Sequence, residues 1–182
     1  MTSRQPTGPP AMPADELRRR LDFSDAELLA DCQIDLYRSS GPGGQHRNKV
    51  SSAVRLRHRS GLVTTGTGSR SQHENKAAAL SRLREAIALA ARVPLPQRVA
   101  WPENVTITDQ RLRVSERNPS RFHVLAIVLD ALAEARGELR PAAERLGLTP
   151  TNVARFLHDR PKAWTEANRI RAQHGHAPLK TP

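Results

Sequence analysis

The sequence predicts an α+β protein: a small sheet with a packed helix, followed by an all-α, helix-turn-helix-like C-terminal module. Three observations predict this class. Short runs within residues 32–65 alternate apolar and polar side chains, as half-buried strands do. The apolar period becomes helical over about residues 71–92. Beyond Pro119 the helical period continues, and three prolines each stand where a first helical turn would begin.

Local patterns predict the first two elements. A capping box formed by Ser24 and Glu27 opens a short helix that runs to about Asp31. Residues 32–38 then alternate and predict a half-buried strand. The apolar face of this strand is expected to be buried and consists of Cys32, Ile34 and Leu36.

Two more strands and a long helix are predicted next. The second strand covers residues 52–58, with Val54 and Leu56 inward and arginines outward, and the third lies near residues 62–65. The helix over residues 71–92 has an apolar stripe, expected at Ala77, Leu80, Leu83, Ile87 and Ala90.

Composition shifts and prolines divide the chain into four segments. They are a disordered leader (1–23), the α+β domain (24–92), a linker (93–118) with a short extended piece at about 106–114, and a helical module (119–182). The helices of that module are expected at about 121–136, 141–146, 150–158 and 161–174.

The charge indicates the kind of partner. The 182 residues carry a net charge of +11 and a pI near 11.3, which point to a polyanion, nucleic acid first. Residues 38–84 alone hold ten Arg or Lys against the single Glu74, whereas residues 1–37 are net acidic. The cations therefore concentrate in one segment that is also rich in Gly and Ser.

Other classes of protein are excluded by composition. No apolar run approaches the roughly 18 residues of a membrane span, and the first residues lack the apolar core of a secretory signal. A lone Cys32 excludes an intrachain disulfide and a multi-cysteine metal site, and it suits a reducing cytoplasm. We expect a cytoplasmic protein with no membrane, metal or cofactor.

One loop carries the most specific motif in the sequence. Paired glycines let a backbone approach a ligand closely, and the glutamine after them offers an N–H donor and an amide. Such a loop could position water and stabilise charge on an oxygen, although none of these groups is a strong base. A flexible surface loop is the alternative for an isolated motif of this kind. The string reads Ser39-Ser40-Gly41-Pro42-Gly43-Gly44-Gln45-His46-Arg47-Asn48-Lys49.

This string resembles the catalytic loop of the class I peptide chain release factor family, which includes codon-independent ribosome-rescue peptidyl-tRNA hydrolases. The resemblance continues through Arg55 and resumes at residues 69–77, so it spans about residues 32–91. It implies that the loop enters the peptidyl transferase centre of the large ribosomal subunit. There the ester between peptide and tRNA is hydrolysed, in translation termination or ribosome rescue.

The same resemblance implies roles for individual residues. Gly43 and Gly44 would allow the tight loop. The main-chain N–H of Gln45 would stabilise the transition state or the leaving oxygen, and its side chain would help to admit water. Ribosomal RNA and the tRNA would supply the remaining chemistry. The expected RNA-binding residues are Arg47, Asn48, Lys49, Arg55, Arg57, Arg70, Gln72, His73 and Lys76.

Two family features are absent from the sequence. About 40 residues precede Gly43, too few for a codon-reading domain, and the end of the chain is only modestly basic, unlike the long basic tail of short rescue hydrolases. We therefore expect a monomeric, codon-independent hydrolase that acts only with the ribosome, its partners being large-subunit rRNA and peptidyl-tRNA. The alternative is a non-catalytic ribosome- or RNA-binding factor.

The C-terminal module resembles the helix-turn-helix of Fis-like DNA-binding proteins over residues 137–157. Gly147 would form the turn, and Thr149 would cap the second helix. A packing unit without a nucleic-acid role and a DNA-binding regulator are the alternatives. The residues open to a nucleic acid would be Thr151, Asn152 and Arg155.

Overall fold

The computed structural model describes residues 12–38 and 52–182, which divide into two units at Ile87 and Ala88. Within the described ranges the first unit is built from short helices, three strands and a long helix. These are α1 (Ala14–Arg19), a 3₁₀ turn (Arg20–Asp22), α2 (Asp25–Ala30), β1 (Cys32–Tyr37), β2 (Ala53–His58), β3 (Val63–Gly66) and most of α3 (Gln72–Ala90), whose last three residues fall beyond the division.

The second unit contains a small hairpin and four helices within the described part of the chain. They are β4 (Ile107–Thr108), β5 (Arg111–Leu112), α4 (Arg121–Glu134), α5 (Leu139–Leu146), α6 (Pro150–His158) and α7 (Pro161–Gln173). The α+β class is confirmed. No helix in the described ranges has both the length and the apolar character that crossing a bilayer requires.

An antiparallel sheet in the order β1–β2–β3 organises the first unit. Val54 and Leu56 on the central strand are fully buried, as the alternation predicts. Helix α3 packs on this face, where the Thr64 hydroxyl donates to the Ala79 carbonyl at 2.9 Å. At Gly66 the helix backbone lies so close that a Cβ would stand 1.9 Å from the Asn75 carbonyl oxygen.

The prediction that the apolar face of β1 is buried is wrong at Ile34 and Leu36, whereas Cys32 is half-buried. Ile34 is 41% exposed and Leu36 is 50% exposed, although their register partners Leu56 and Val54 are buried on the same face of the sheet. The reason is that β1 is an edge strand and α3 contacts the β3 side, at Thr64 and Gly66. Among the described residues, the alternation of β1 therefore marks a face that the helix does not cover.

The stripe on α3 is correct at its large residues and wrong at two alanines. Leu80, Leu83 and Ile87 are buried, whereas Ala77 and Ala90 are exposed. The close approach of α3 to Gly66 fixes its rotation, and the buried line within the first unit also includes Asn75 and Ala79.

Disorder over the whole of residues 1–23 is also a wrong prediction. Residues 14–22 form α1 and the 3₁₀ turn, and Leu17 and Leu21 bury their side chains in the first unit. The capping box at Ser24 and Glu27 is present as predicted, with Glu27 N–H donating to the Ser24 hydroxyl at 3.3 Å. The predicted domain limits stay predictions.

A cluster of charged residues closes the His58 end of β2. Arg20 is nearly buried and donates to Asp31 at 3.0 Å and to the Glu16 carboxylate at 3.0 Å, while Arg59 pairs with the same two acids. The His58 side chain is fully buried beside them, and its Nδ1 accepts from the Ser60 N–H at 3.1 Å. Its Nε2 lies 3.7 Å from the Asp31 carboxylate.

The helices of the second unit agree closely with those expected. Helix α5 begins two residues earlier than predicted, and α4 and α7 end slightly earlier. Gly147 ends α5 with φ of +68°, a left-handed conformation that glycine adopts without strain. Thr149 caps α6, its hydroxyl accepting from the Asn152 N–H at 3.2 Å. Six apolar residues of α5 and α6 are buried: Ala142, Ala143, Leu146, Val153, Phe156 and Leu157.

A buried ion pair holds the start of the second unit. Asp130 on α4 is 1% exposed and accepts from Arg92 at 3.1 Å and from the Val93 N–H at 3.3 Å. Breaking such a pair leaves an uncompensated buried charge. The residues predicted as a linker are therefore bonded to α4 at their start, and they contain β4 and β5 further on.

Stability should fall on mild acidification because of His58. Burial lowers the pKa of His58, Asp31 opposes this and Arg20 adds to it, so the neutral ring is the form that the folded state favours. The unfolded chain then takes up a proton first, and stability present above about pH 6.5 declines as the pH falls toward the lower folded pKa, by at most about 1.4 kcal/mol per pH unit. Urea unfolding between about pH 7.5 and 5.5 measures this slope.

His58→Gln should flatten the slope, because it removes the titrating ring. Gln33→Ala, a change at an exposed residue of the same unit that carries no titratable group, should leave the slope unchanged. Equal slopes in wild type and His58→Gln would contradict the role assigned to His58.

Gly66→Ala should destabilise the first unit by about 2–4 kcal/mol, because the new methyl group overlaps the Asn75 carbonyl. Gly68→Ala is the matched control: a Cβ there meets no atom within 4 Å, so its effect should stay within about 0.5 kcal/mol. Chemical denaturation of both variants checks this. Equal stabilities would show that α3 does not constrain Gly66.

Candidate functional site

The glycine-rich loop joins β1 to β2, and the structure describes the residues at which it leaves and rejoins the sheet. Tyr37, the last residue of β1, pairs with Ala53, the first residue of β2. The chain is thus held on both sides of residues 39–51 by neighbouring strands. Six predicted site residues lie outside the described residues: Gly43, Gly44, Gln45, Arg47, Asn48 and Lys49.

Asn75 ties this part of the sheet to the start of α3. The side chain is 1% exposed, and its Nδ2 donates to the Ser52 carbonyl at 2.7 Å and to the Ser69 carbonyl at 2.8 Å. Its Oδ1 accepts from the Ser69 N–H at 2.9 Å. Through this one amide, α3 is bonded both to the residue that precedes β2 and to the turn that precedes α3. We name this set of three bonds the Asn75 clamp.

The candidate RNA-binding residues of the second motif lie beside the clamp. Arg70, Gln72 and His73 are exposed, and Lys76 is half-buried on the first turns of α3. The clamp places these residues at the sheet end where the chain enters β2. The sequence analysis missed Asn75. Its position was the available signal: Asn75 lies four residues before Ala79 and eight before Leu83, which puts it on the apolar stripe of the helix, where a polar side chain is buried and needs hydrogen-bond partners.

The two arginines predicted on β2 differ in their surroundings. Arg57 is exposed and donates to Asp35 on the neighbouring strand at 2.7 Å, so a carboxylate already compensates its charge. Arg55 lies nearer the loop, with its guanidinium 4.9 Å from the centre of the Tyr37 ring. An arginine stacked on an aromatic ring keeps its charge and its hydrogen-bond donors for an anion.

Cys32 is not a nucleophile in this fold. Burial, with a contribution from Asp31, raises the pKa of its thiol to about 11, and the Sγ donates to the Leu28 carbonyl at 3.2 Å. Thiolate is the reactive form, so the group is inert at neutral pH. Among the described residues there is also no group of three or more His, Cys, Asp and Glu side chains placed to hold a metal ion.

The three candidate nucleic-acid-binding residues of the second unit differ in whether their side chains are already engaged within the protein. Thr151 and Arg155 are exposed on α6. Asn152 instead uses its amide inside the protein: Nδ2 donates to the Thr149 hydroxyl at 2.7 Å and to the Gln110 carbonyl at 3.2 Å. Contact of these residues with a nucleic acid stays a prediction.

The sheet, helix and clamp belong to a segment that a family comparison identifies. Residues 27–126 match the RF-1 domain, and this range is more than half of the 182 residues. The chain belongs to this family, that of the class I peptide chain release factors.

Individual relatives give the same result. The chain is 57% identical over 42 residues to peptide chain release factor 2 of Borreliella burgdorferi, covering 22% of this chain and 12% of that protein. It is 54% identical over 52 residues to the protein of that name in Proteus mirabilis (28% and 14%) and 42% over 68 residues to that of Corynebacterium glutamicum strain R (30% and 18%). The chain thus spans less than a fifth of the length of these relatives.

Asn75→Ala should destabilise the first unit by about 2–4 kcal/mol, because it leaves the Ser52 carbonyl and the Ser69 N–H and carbonyl without the partner that they have now. Chemical denaturation gives the value. Gln72→Ala, three residues away on the exposed side of α3, is the control and should change stability by no more than about 0.5 kcal/mol. An Asn75→Ala variant as stable as Gln72→Ala would contradict the clamp.

Proposed function

We propose that this protein hydrolyses the ester of peptidyl-tRNA on the ribosome without reading a codon. Its loop at Gly43, Gly44 and Gln45 enters the peptidyl transferase centre, and its partners are large-subunit rRNA and peptidyl-tRNA. It acts as a monomer in the cytoplasm, in translation termination or ribosome rescue, and needs no cofactor.

Family membership is the observation that carries this proposal. The RF-1 domain match covers the loop, the strands around it and α3 in one continuous range. The proteins it resembles are named peptide chain release factor 2. The Asn75 clamp supports the proposal further, because a loop that must position water needs a fixed base.

The chemistry assigned to the loop is stabilisation rather than proton abstraction. Water adds to the ester carbonyl carbon, negative charge develops on the carbonyl oxygen, and the bond to the tRNA oxygen then breaks. The peptide leaves with a carboxyl group and the tRNA with a hydroxyl group. The main-chain N–H of Gln45 donates to the developing charge, as oxyanion donors do, while its side chain orients water. RNA groups handle the protons.

Docking is assigned to the cations around the loop. Arg55 keeps its donors free of carboxylates among the described residues, and the exposed Arg70 and the half-buried Lys76 lie near the clamp. Together with Arg47, Asn48 and Lys49 they bind rRNA phosphates. Arg57 contributes less, since Asp35 already compensates its charge.

Release of labelled peptide from stalled ribosomes tests the proposal. Wild type should release peptide from ribosomes on truncated mRNA and from ribosomes holding a sense codon. Gly43→Ala and Gln45→Pro should lose about 10²–10³-fold in rate, the second because proline has no N–H. Gln45→Ala keeps that donor and should lose less. Gly68→Ala and Gln33→Ala change an open glycine and an exposed glutamine and should release normally.

The outcomes separate the two leading functions. No release by wild type above background, or equal release by wild type and Gln45→Pro, would contradict hydrolysis. Co-sedimentation with ribosomes that persists in such a case would identify a non-catalytic ribosome-binding factor instead.

A further inference from the structure

The second unit contains a basic cleft that the release-factor chemistry does not use. Its volume is about 600 Å³, and its walls are the chain from β5 to Asn118 on one side and α6 on the other. Four arginines and one aspartate line it: Arg111, Arg113, Arg155, Arg160 and Asp159.

One of these arginines is part of the frame of the cleft. The Arg160 guanidinium donates to the Phe156 carbonyl at 2.9 Å and to the Val114 carbonyl at 3.1 Å, and it stacks on the Phe156 ring at 4.1 Å. Glu116 lies 3.5 Å from it. Arg160 therefore joins the two walls. Its hydrogen-bond donors are engaged by the two carbonyls and Glu116 partly compensates its charge, so we assign it no contact with a ligand.

The other three arginines are available to an anion. Arg111, Arg113 and Arg155 are exposed, and none makes an ion pair or side-chain hydrogen bond within the described part of the chain. Arg111 is the first residue of β5 and Arg113 follows the strand, so these two exposed arginines stand two positions apart, on either side of the buried Leu112, and both line the cleft. This spacing lets them contact neighbouring phosphates, while Arg155 reaches the ligand from the opposite wall.

The usual docking of a helix-turn-helix on duplex DNA does not suit this unit. In that mode the N-terminal residues of the second helix reach base edges in the major groove. Here the β4–β5 turn lies on that end of α6: the Gln110 carbonyl accepts from the Thr149 N–H at 3.3 Å and from Asn152 at 3.2 Å.

The turn that covers α6 is itself strained. Asp109 and Gln110 have φ of +50° and +57°, a left-handed conformation that a glutamine rarely adopts. The two bonds to the Gln110 carbonyl hold it there. The cations consequently face a concave cleft beside the helix rather than protruding from its tip.

We propose that this cleft binds a single strand of RNA, with Arg111, Arg113 and Arg155 on its phosphates. A concave, open groove with cations on both walls suits a single strand, whose phosphate backbone can follow it. The exposed Ser115 hydroxyl in the lining offers a partner for a ribose 2′-hydroxyl. The choice of RNA over single-stranded DNA also rests on the proposed function.

Binding of fluorescein-labelled oligouridylate to the full chain, without ribosomes, tests this inference. The triple variant Arg111→Ala, Arg113→Ala, Arg155→Ala should lose at least about tenfold in affinity. The slope of log affinity against log salt between about 50 and 200 mM should fall by about 2, for three lost contacts to a single strand. Oligothymidylate and duplex DNA of equal length should bind several-fold more weakly.

A second triple variant of equal charge is the control. Arg98→Ala, Arg117→Ala, Lys180→Ala removes three exposed cations that do not line the cleft and should cost less than about threefold. Equal losses in the two triple variants, or equal binding of either DNA, would overturn the inference. Thermal melting must show that both variants are folded.

Crosslinking locates the strand independently. Oligonucleotides containing 4-thiouridine should crosslink to peptides within residues 111–118 and 152–160. Crosslinks confined to the first unit would overturn the inference even if the triple variant bound weakly. Neither measurement involves an ester or a ribosome. A negative result for RNA binding in the cleft therefore does not contradict the proposed hydrolysis, and a negative result for hydrolysis does not contradict RNA binding in the cleft.

Discussion

The Asn75 amide makes the contact on which the first unit depends. A three-stranded sheet and one helix bury little surface, so their mutual position needs bonds as well as apolar contacts. The amide supplies two donors and one acceptor to backbone groups of Ser52 and Ser69, two half-buried residues that precede β2 and α3. Gly66 completes the arrangement, because only a residue without a Cβ lets the Asn75 backbone come so close.

The pairing of charges explains where the positive charge remains. The acidic segment before the loop compensates part of the basic segment after it: Arg57 pairs with Asp35, Arg59 with Asp31 and Arg84 with Asp25. These pairs lie along β1, at the His58 end of β2 and on α2. The cations without carboxylate partners in the described segments include Arg55, Arg70 and Lys76, on the side of the Asn75 clamp.

Sequence patterns predicted what depends on neighbouring residues and failed where tertiary packing decides. The capping box at Ser24 and Glu27, the alternation of β2 and the proline starts of α6 and α7 are local and are present. Ile34 and Leu36 are exposed because the position of α3 over the sheet is not encoded in β1. The burial predicted for Ala77 is wrong for a related reason: alanine occurs on both buried and exposed faces of helices, so it does not indicate which face of α3 is buried.

The same division applies to the candidate sites. The loop motif and the exposed Arg155 could be found by residue type and spacing. Asn75 could not be ranked above Gln72 or His73, because its burial follows from the approach of α3 to Gly66. The cleft in the second unit depends on the contact between the β4–β5 turn and α6. These segments are about 40 residues apart in the sequence, so no local sequence pattern predicts their contact.

Amide hydrogen exchange at Ser69 tests the central claim about the Asn75 clamp most directly. Within the described ranges the Ser69 N–H donates only to the Asn75 side chain, so its exchange reports the clamp and not a strand or helix. Under conditions where Asn75→Ala remains folded, the Ser69 amide should be protected in wild type and exchange at least about tenfold faster in the variant, while the His58 amide, which bonds to Leu62, stays protected in both. Equal exchange at Ser69 in the two proteins would contradict it.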